Sequence, residues 1–338
     1  MQRRITSKDV AKEAGVSRAT VSYILNNVKG VRISDETRGR VLEVARKLGY
    51  HLDIHAQAMK TNRSMSIGVV SRRNVTESRF VNVLGGIKDV LMKEKYNILL
   101  CSDELDEMGY PEYYRLYQSK KIDGIISISY QEQLNIEHAD KRAELMLKER
   151  IPCVFADYHL KNPMVHSVDI NYYHGGYIAA RHLIEKGHRE IAFMVPNLDT
   201  EQERQRIQGV SKAVEEAENV KLTVYKLKNS SNDFENNIVE VLMDRKKYSA
   251  IIVAWGLLAS QTLYLANRMK INVPGEIAVI SLAGDSSAIF TYPKLSTCEL
   301  PLYELGVKSA QILVDDINSS GLPVSMSLPC KLNIRDSC

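Results

Sequence analysis

The fold of the N-terminus is decided by residues 5–25, which read ITSKDVAKEAGVSRATVSYIL. Thr6 and Asp9 have the spacing of a capping box, and Ser17 stands where its hydroxyl caps a second helix. Gly15 lies between the two capped segments and suits a tight turn. The stretch therefore predicts two short helices joined by a turn.

A third helix is predicted from Ser34, and all three helices have an apolar face. The inward residues of the second and third helices are Val21, Ile24, Leu25, Val41, Leu42, Ala45 and Leu48. This arrangement is a helix-turn-helix, whose second helix enters the major groove of DNA. The alternative is a small helical bundle with a solvated polar face.

The exposed face of the second helix carries side chains that suit DNA. Arg18 is expected to donate to guanine O6 and N7, and Ala19 or Thr20 to contact a thymine methyl group. Tyr23 lies on the same face. Polar side chains near the helix ends suit phosphate contacts, which position a protein without reading sequence. These side chains are Thr6, Ser17, Ser22 and Asn26.

Charge is distributed unevenly along the chain. Residues 1–64 carry 13 Lys and Arg against 6 Asp and Glu, whereas the remainder carries 32 against 35. The formal net charge of +4 at pH 7 therefore conceals a basic head on a slightly acidic body. Such a head is typical of a polyanion-binding unit, which favours DNA binding over the solvated bundle.

Strand and helix patterns alternate from Ser66 onward. Strands are predicted at 67–70, 98–101, 124–128, 153–156, 191–195, 222–227, 250–254 and 277–282, and helices at 81–95, 176–186, 203–218, 260–269 and 302–317. Repeated strand–helix–strand units indicate parallel sheets with right-handed crossovers. Because about 270 residues exceed what one open sheet usually carries, two similar lobes are expected.

Several classes of protein are disfavoured by the sequence. No stretch reaches the roughly 18 apolar residues of a membrane span, and the N-terminus lacks a signal-peptide core, so neither membrane insertion nor secretion is expected. The five cysteines are scattered, which favours a reducing cytoplasm. Phosphate-binding glycine loops, metal-binding histidine motifs and GxSxG do not occur. We therefore predict no cofactor and no metal site.

Segments along the whole chain carry a family resemblance. Besides the N-terminal stretch these are SIGVV from Ser66, KKIDGIISIS from Lys120, HGGYIAARHLIEKGHREIAFM from His174, NVPGEIAVIS from Asn272 and YPKLSTCELP from Tyr292. In this order and spacing they resemble the LacI/GalR family of bacterial transcriptional regulators. The resemblance implies an all-α helix-turn-helix DNA-binding head and a two-lobed α/β core of periplasmic-binding-protein type with parallel sheets.

The family pattern also implies domain boundaries. The head is expected at 1–51, a hinge helix or linker at 52–64, and the effector-binding and dimerisation core at 65–338. Within the core, the chain is expected to cross between lobes three times. The N-lobe is placed at about 65–166 and 295–322, and the C-lobe at about 167–294 and 323–338.

In the family, residues at the positions of Arg18, Ala19 and Tyr23 read bases, and a hinge leucine wedges into the minor groove. Met59 occupies that leucine position, and an apolar side chain of this kind suits a wedge. Ala56 is small enough to approach the groove floor. The alternative role for Met59 is a linker residue packed on the core.

The resemblance implies an effector site between the lobes. Its expected residues are Arg79, Phe80, Asn171, Tyr172, Arg206, Trp255 and Ala283. Asn171, Gly256 and Ala283 stand where sugar-binding members usually have acids, while Arg206 keeps a basic position. Tyr172 fits either a cleft wall or a helix start, and Trp255 either core packing or a ligand platform. Because an uncompensated buried guanidinium is costly, we predict an anionic effector. A drifted, effector-blind cleft or regulation by a protein partner are the alternatives.

These observations predict a sequence-specific repressor that is not an enzyme. We expect a homodimer on a pseudo-palindromic double-stranded DNA operator, because one small head reads too few base pairs alone. The C-terminal tail CKLNIRDSC has no apolar heptads, which favours a dimer over a tetramer. The alternative is an intracellular two-lobed ligand-binding protein or enzyme whose head is incidental.

Overall fold

The computed structural model describes residues 5–25, 30–50, 63–71, 78–129, 136–227, 231–244, 246–284, 286–319 and 321–338. The chain divides into two compact units, Met1–Ser64 and Met65–Cys338. Within the described ranges, no helix is both long enough and apolar enough to span a membrane.

The first unit contains three helices, α1 (Ser7–Ala14), α2 (Arg18–Leu25) and α3 (Asp35–Lys47). Gly15 ends α1 with a φ of +66°, a left-handed conformation that glycine adopts without steric cost and that starts the turn into α2. Val10, Val21 and Val41 are fully buried at the centre of this unit. Leu42 was predicted to face inward, but it is 42% exposed because the apolar face of α3 is narrower than predicted.

The first sheet of the core has six strands, all parallel, in the order β11-β5-β4-β3-β1-β2. Its members are β1 (Ser66–Ser71), β2 (Asn97–Cys101), β3 (Gly124–Ile128), β4 (Cys153–Ala156), β5 (His166–Asn171) and β11 (Ser325–Pro329). β3 and β4 are buried along their whole length, as expected of central parallel strands.

The second sheet also has six strands, in the order β12-β10-β9-β8-β6-β7. They are β6 (Glu190–Pro196), β7 (Lys221–Leu227), β8 (Ala250–Val253), β9 (Ala278–Gly284), β10 (Ser296–Glu299) and β12 (Lys331–Asn333). β12 runs antiparallel to β10, and the other pairs are parallel. The prediction of two lobes with parallel sheets is confirmed.

Helices pack against each sheet. Those of the first lobe are α4 (Ser78–Lys93), α5 (Glu112–Gln118), α6 (Ile136–Lys148) and α11 (Leu302–Ser319). Those of the second lobe are α7 (Tyr172–Glu185), α8 (Glu201–Glu215), α9 (Ser231–Met243) and α10 (Gly256–Arg268), with a short 3₁₀ turn at Ser286–Ile289. Each lobe has one close helix pair, α4 with α11 and α7 with α8.

Each interlobe crossover lies a few residues later in the chain than the approximate predicted boundary. β5 pairs with β4, so the chain leaves the first lobe after Asn171 and not before Ser167. β10 pairs with β9, so 296–299 belong to the second lobe, whereas α11, also within the predicted segment 295–322, packs in the first. β11 pairs with β5, so 325–329 belong to the first lobe, whereas β12, also within the predicted segment 323–338, pairs in the second. Strand partners decide lobe membership, and these partners are distant in sequence.

The prediction missed four strands, β5, β10, β11 and β12, and three helices, α5, α6 and α9. The missed strands read HSVDIN, STCE, SMSLP and KLN, which are short and rich in polar residues. They lie beside the crossovers, and even polar residues in them are fully buried, as Ser296 and Thr297 are. Hydrophobic periodicity is therefore a poor signal for these strands.

Candidate nucleic-acid interface and interlobe cleft

The face of α2 is built by a local cap and an apolar stripe. Ser17 Oγ accepts a hydrogen bond from the Thr20 backbone N–H at 3.0 Å, which fixes the first turn. Val21 and Ile24 are buried, and Leu25 packs partly against them. Arg18, Ala19 and Tyr23 are consequently exposed together.

Two of the predicted phosphate-contacting residues, Thr6 and Ser17, lie at the N-terminal ends of helices. The Thr6 backbone N–H and hydroxyl both donate to Asp9, at 2.8 and 2.6 Å. Ser17 and Thr20 hydroxyls lie 2.9 Å apart, and Ser22 is half-buried. Asn26, Ala56 and Met59 lie outside the described residues, so their roles stay predictions.

In the cleft between the lobes, a polar network is centred on Asp157, which follows β4. Arg79 of α4 contacts its carboxylate, and the Tyr172 hydroxyl donates to it at 2.8 Å. The Gln202 side-chain amide, from α8, donates to the same carboxylate at 2.9 Å. Arg79 also donates to the Tyr172 hydroxyl. Residues from both lobes therefore meet on one buried carboxylate.

Charges around Asp157 determine its protonation. Burial raises the pKa of Asp157, but the Arg79 guanidinium and hydrogen bonds from His159 and Tyr172 hold this pKa below its ordinary value. Burial lowers the pKa of His159, but Asp157, Asp169 and Glu201 raise it above its ordinary value. The network therefore favours an ionised Asp157 beside a protonated His159.

A second cluster lies on α8 and at the end of β8. Arg206 Nη1 donates to Glu203 Oε1 at 2.5 Å, and the two side chains are 1% and 2% exposed. The Trp255 indole N–H donates to the same Glu203 oxygen at 3.0 Å. The Arg206 guanidinium lies 4.6 Å from the centre of the Tyr172 ring, a cation–π distance that links the two clusters.

Backbone packing of α7 against α8 sets this geometry. A Cβ added to Gly209 would lie 2.0 Å from the Tyr173 carbonyl oxygen, so only glycine permits the approach. The contact brings the first turn of α7, which begins at Tyr172, beside the face of α8 that carries Arg206. Tyr172 is thus both a helix start and a cleft wall.

The structure gathers four of the predicted effector residues, Arg79, Tyr172, Arg206 and Trp255. Phe80 lies in the hydrophobic core of the first lobe with 2% exposure. The Asn171 side chain caps α7 by accepting from the His174 backbone N–H at 2.8 Å. Ala283 is half-buried, and its carbonyl oxygen lies 2.5 Å from where a Cβ of Gly256 would be.

The premise for an anionic effector is wrong. It required uncompensated arginines, but Arg79 contacts Asp157 and Arg206 pairs with Glu203. Each guanidinium already faces a carboxylate, so the charge of these four groups is balanced.

Sequence reasoning missed Asp157, His159, Gln202 and Glu203. Asp157 directly follows a fully buried strand, at the carboxyl end where clefts open in α/β sheets, and that position was an available signal. Asp157, His159 and Asp169 also bring metal-binding donor atoms within 4.8 Å of one another. The Arg79 guanidinium on Asp157 opposes a cation there, and protonated His159 fits the two carboxylates instead.

Comparison with known proteins decides the family. A model described as bacterial regulatory proteins, lacI family, matches residues 6–53, and a periplasmic binding protein-like domain matches 180–338. The HTH-type transcriptional regulator DegA of Bacillus subtilis (strain 168) is 30% identical over 309 residues, which cover 90% of this chain and 89% of DegA. The chain belongs to the lacI family of bacterial regulatory proteins.

Other lacI-family relatives are similar to this chain in sequence or in structure. The HTH-type transcriptional regulator RegA of Clostridium saccharobutylicum is 29% identical over 93% of both chains. The crystal structure of the Lac repressor dimer bound to operator and an anti-inducer superposes with a TM-score of 0.79 over 99% of both chains, at 20% identity. The predicted fold, a DNA-binding head on a periplasmic-binding-protein-like core, is confirmed, and the chain is a DNA-binding transcriptional regulator.

Proposed function

We propose that this lacI-family chain is a repressor that binds a pseudo-palindromic operator as a homodimer in the cytoplasm. The observation that carries the proposal is the capped α2, which exposes Arg18, Ala19 and Tyr23 and buries Val21 and Ile24. A single helix of this length reads only a few base pairs, so two heads on one duplex supply the discrimination a regulator needs.

Base reading is assigned within this face. Arg18 carries the only long multidonor side chain on it and reads guanine, while Ala19 and Thr20 approach a thymine methyl group. Tyr23, with one hydroxyl and an exposed ring, discriminates less sharply. Met59 acts as the central wedge, with Ala56 beside the groove floor. Thr6, Ser17, Ser22 and Asn26 contact phosphates.

The interlobe cleft binds a neutral polar effector. Arg206 Nε and Nη2 are buried donors without a partner, and Gln202 Oε1 and Glu203 Oε2 are buried acceptors without one. A ligand that satisfies both kinds of atom carries hydroxyl groups, since each hydroxyl donates and accepts. The ion pairs of Arg79 and Arg206 also favour a neutral ligand, because such a ligand leaves both pairs in place.

The cleft binds a ligand and does not catalyse a reaction. Asp157 accepts from Arg79, Tyr172 and Gln202, and Glu203 accepts from Arg206 and Trp255. A general base needs a basic carboxylate free to approach a substrate proton, but Asp157 already accepts from three side chains and Glu203 is ion-paired with Arg206.

Selection of duplexes from a random pool by the full-length protein tests the DNA proposal. We expect a two-fold symmetric motif whose affinity falls steeply with salt. Enrichment of no motif, with retention that does not depend on salt, would refute it.

Calorimetry with matched neutral and phosphorylated sugars tests the effector class. We expect the neutral sugar of a matched pair to bind, and Arg206→Met should abolish that binding. Tighter binding of the phosphorylated partner would restore the anion hypothesis and overturn the neutral one.

A further inference from the structure

Two cysteines lie where the three interlobe crossovers meet. Cys298 is in β10 of the second sheet, paired opposite Leu332 of β12, and is followed by the crossover into α11. Cys330 stands between β11 of the first sheet and β12 of the second. Its thiol donates at 3.4 Å to the carbonyl of Asn171, which ends β5 at the third crossover.

Both sulfur atoms lie beside the same backbone position, Gly175 of α7. A Cβ added to Gly175 would lie 3.2 Å from the Cys298 Sγ and 3.1 Å from the Cys330 Sγ, so both thiols border the same gap. Cys298 is fully buried, and Cys330 is 5% exposed.

Cys330 differs from the other cysteines in its electrostatics. The hydrogen bond from Cys298 lowers the pKa of Cys330, burial raises it, and the charge of Arg206 lowers it further, with a net lowering. Burial raises the pKa of both Cys101 and Cys153 to about 12. A lowered pKa favours the thiolate, which is the form that attacks oxidants.

We propose that Cys298 and Cys330 form a reversible disulfide in response to a hydroperoxide, joining two of the crossovers that connect the lobes. This site is separate from the DNA-reading face and from the hydrogen bonds of the effector site. Its chemistry does not depend on the proposed function, but its effect on regulation does.

The reaction balances in two steps. The Cys330 thiolate attacks one oxygen of hydrogen peroxide, the O–O bond breaks, and a sulfenic acid and hydroxide form. The Cys298 thiol then attacks the sulfenic sulfur, the S–O bond breaks, and the oxygen leaves as water once the thiol proton is transferred. Overall the two thiols lose two electrons and two protons, and one peroxide becomes two waters. A dithiol reductant reverses the reaction by thiol–disulfide exchange.

The disulfide would restrict movement between the lobes. Lobe opening requires the three crossovers to change conformation relative to one another, and a covalent bond between two of them opposes that change. Burial of both thiols makes opening of the cleft the step that admits peroxide.

Peptide mapping of the full-length protein tests the proposal. After treatment with a few equivalents of hydrogen peroxide, denaturation and alkylation, we expect two of the five thiols to be protected, with Cys298 and Cys330 in one cross-linked peptide that dithiothreitol separates. Cys298→Ala and Cys330→Ala should each prevent the cross-link, whereas Cys101→Ala and Cys153→Ala should preserve it. Five alkylatable thiols in the wild-type protein after treatment, or a cross-link between other cysteines, would overturn the proposal.

The single tryptophan provides a second measurement. Because the half-buried Trp255 bonds to Glu203, which directly follows the lobe-bridging Gln202, acrylamide quenching of its fluorescence should report lobe opening. Oxidation should lower the quenching constant of the wild-type protein by about half and leave that of Cys330→Ala unchanged. Equal constants before and after complete cross-linking would refute the restriction of lobe movement. Neither measurement uses DNA, so failure here is distinguishable from failure of the operator proposal.

Discussion

Gln202 of the second lobe donates its side-chain amide to the Asp157 carboxylate of the first lobe at 2.9 Å. The two residues are 45 positions apart in sequence and both are buried. Because Arg79 and Tyr172 contact the same carboxylate, this hydrogen bond joins the lobes through one shared acceptor. The cleft is therefore bridged by the protein's own side chains.

Removal of the amide should loosen this bridge. Gln202→Ala deletes a buried hydrogen bond to a charged group and should lower the free energy of unfolding by about 1.5 to 3 kcal/mol. Acrylamide quenching of Trp255 should also increase. Gln208→Ala, an exposed change on the same helix, is the matched control and should alter neither quantity. Identical urea midpoints for the two variants would contradict the bridge.

The buried Glu203 and Arg206 pair should be sensitive to loss of one partner. Glu203→Gln leaves a buried guanidinium without its counter-charge and should cost about 3 to 5 kcal/mol of unfolding free energy. The double variant Glu203→Gln with Arg206→Met should recover part of that loss. Arg204→Met, which removes a partly exposed arginine from the same helix, should cost less than about 1 kcal/mol. A double variant less stable than Glu203→Gln alone would count against the pairing.

Stability should depend on pH through His159. Its folded-state pKa is raised above the ordinary 6.5, so its contribution is fully present below pH 6.5 and is lost as the pH rises through the raised value. The difference in unfolding free energy between wild type and His159→Gln should therefore shrink as the pH rises above 6.5.

His188 is the control for this pH dependence. Burial and the nearby His182 and Arg189 lower the pKa of His188, so the sign reverses. The difference in unfolding free energy between wild type and His188→Gln should move toward greater wild-type stability as the pH rises. The same trend for both variants would show that the charge of His159 is not held by Asp157 and Asp169.

Base specificity should depend on Arg18. Arg18→Ala should relax the preference at one base position per half-site and cost about 1 to 3 kcal/mol per contact. Arg46→Ala removes the same charge from an exposed position on α3 and should leave the selected motif intact. The same motif from Arg18→Ala and wild type in selection experiments would rule out base reading by Arg18.

The hinge prediction concerns discrimination between sites. Met59→Gly should weaken operator binding far more than binding to random duplexes, because kinking the central step costs a few kcal/mol that the inserted side chain offsets. Binding isotherms on both duplexes at one salt concentration measure this difference. Equal losses on the two would indicate a passive linker.

Local features of the sequence determined the head and the strand–helix alternation. The Thr6 and Ser17 caps, the turn at Gly15 and the spacing of Val21 and Ile24 act within a few residues, so their effect is visible in the sequence. The long apolar runs of β3, β4 and β8 are equally local, because central parallel strands are buried on both faces.

Tertiary structure alone decided the lobe boundaries and the charge balance of the cleft. Arg79 and Arg206 were predicted to need an anion, but their partners, Asp157 and Glu203, are fixed by the fold. Asp157 is 78 positions from Arg79, and Trp255 is 52 from Glu203. The periodicity of a strand or helix specifies which face is buried, but the crossing of chain segments specifies which charged groups meet on that face. The sequence also did not predict that Cys298 and Cys330 lie close together. Their strands are distant in sequence, and β10 and β12 become neighbours only when the second sheet forms.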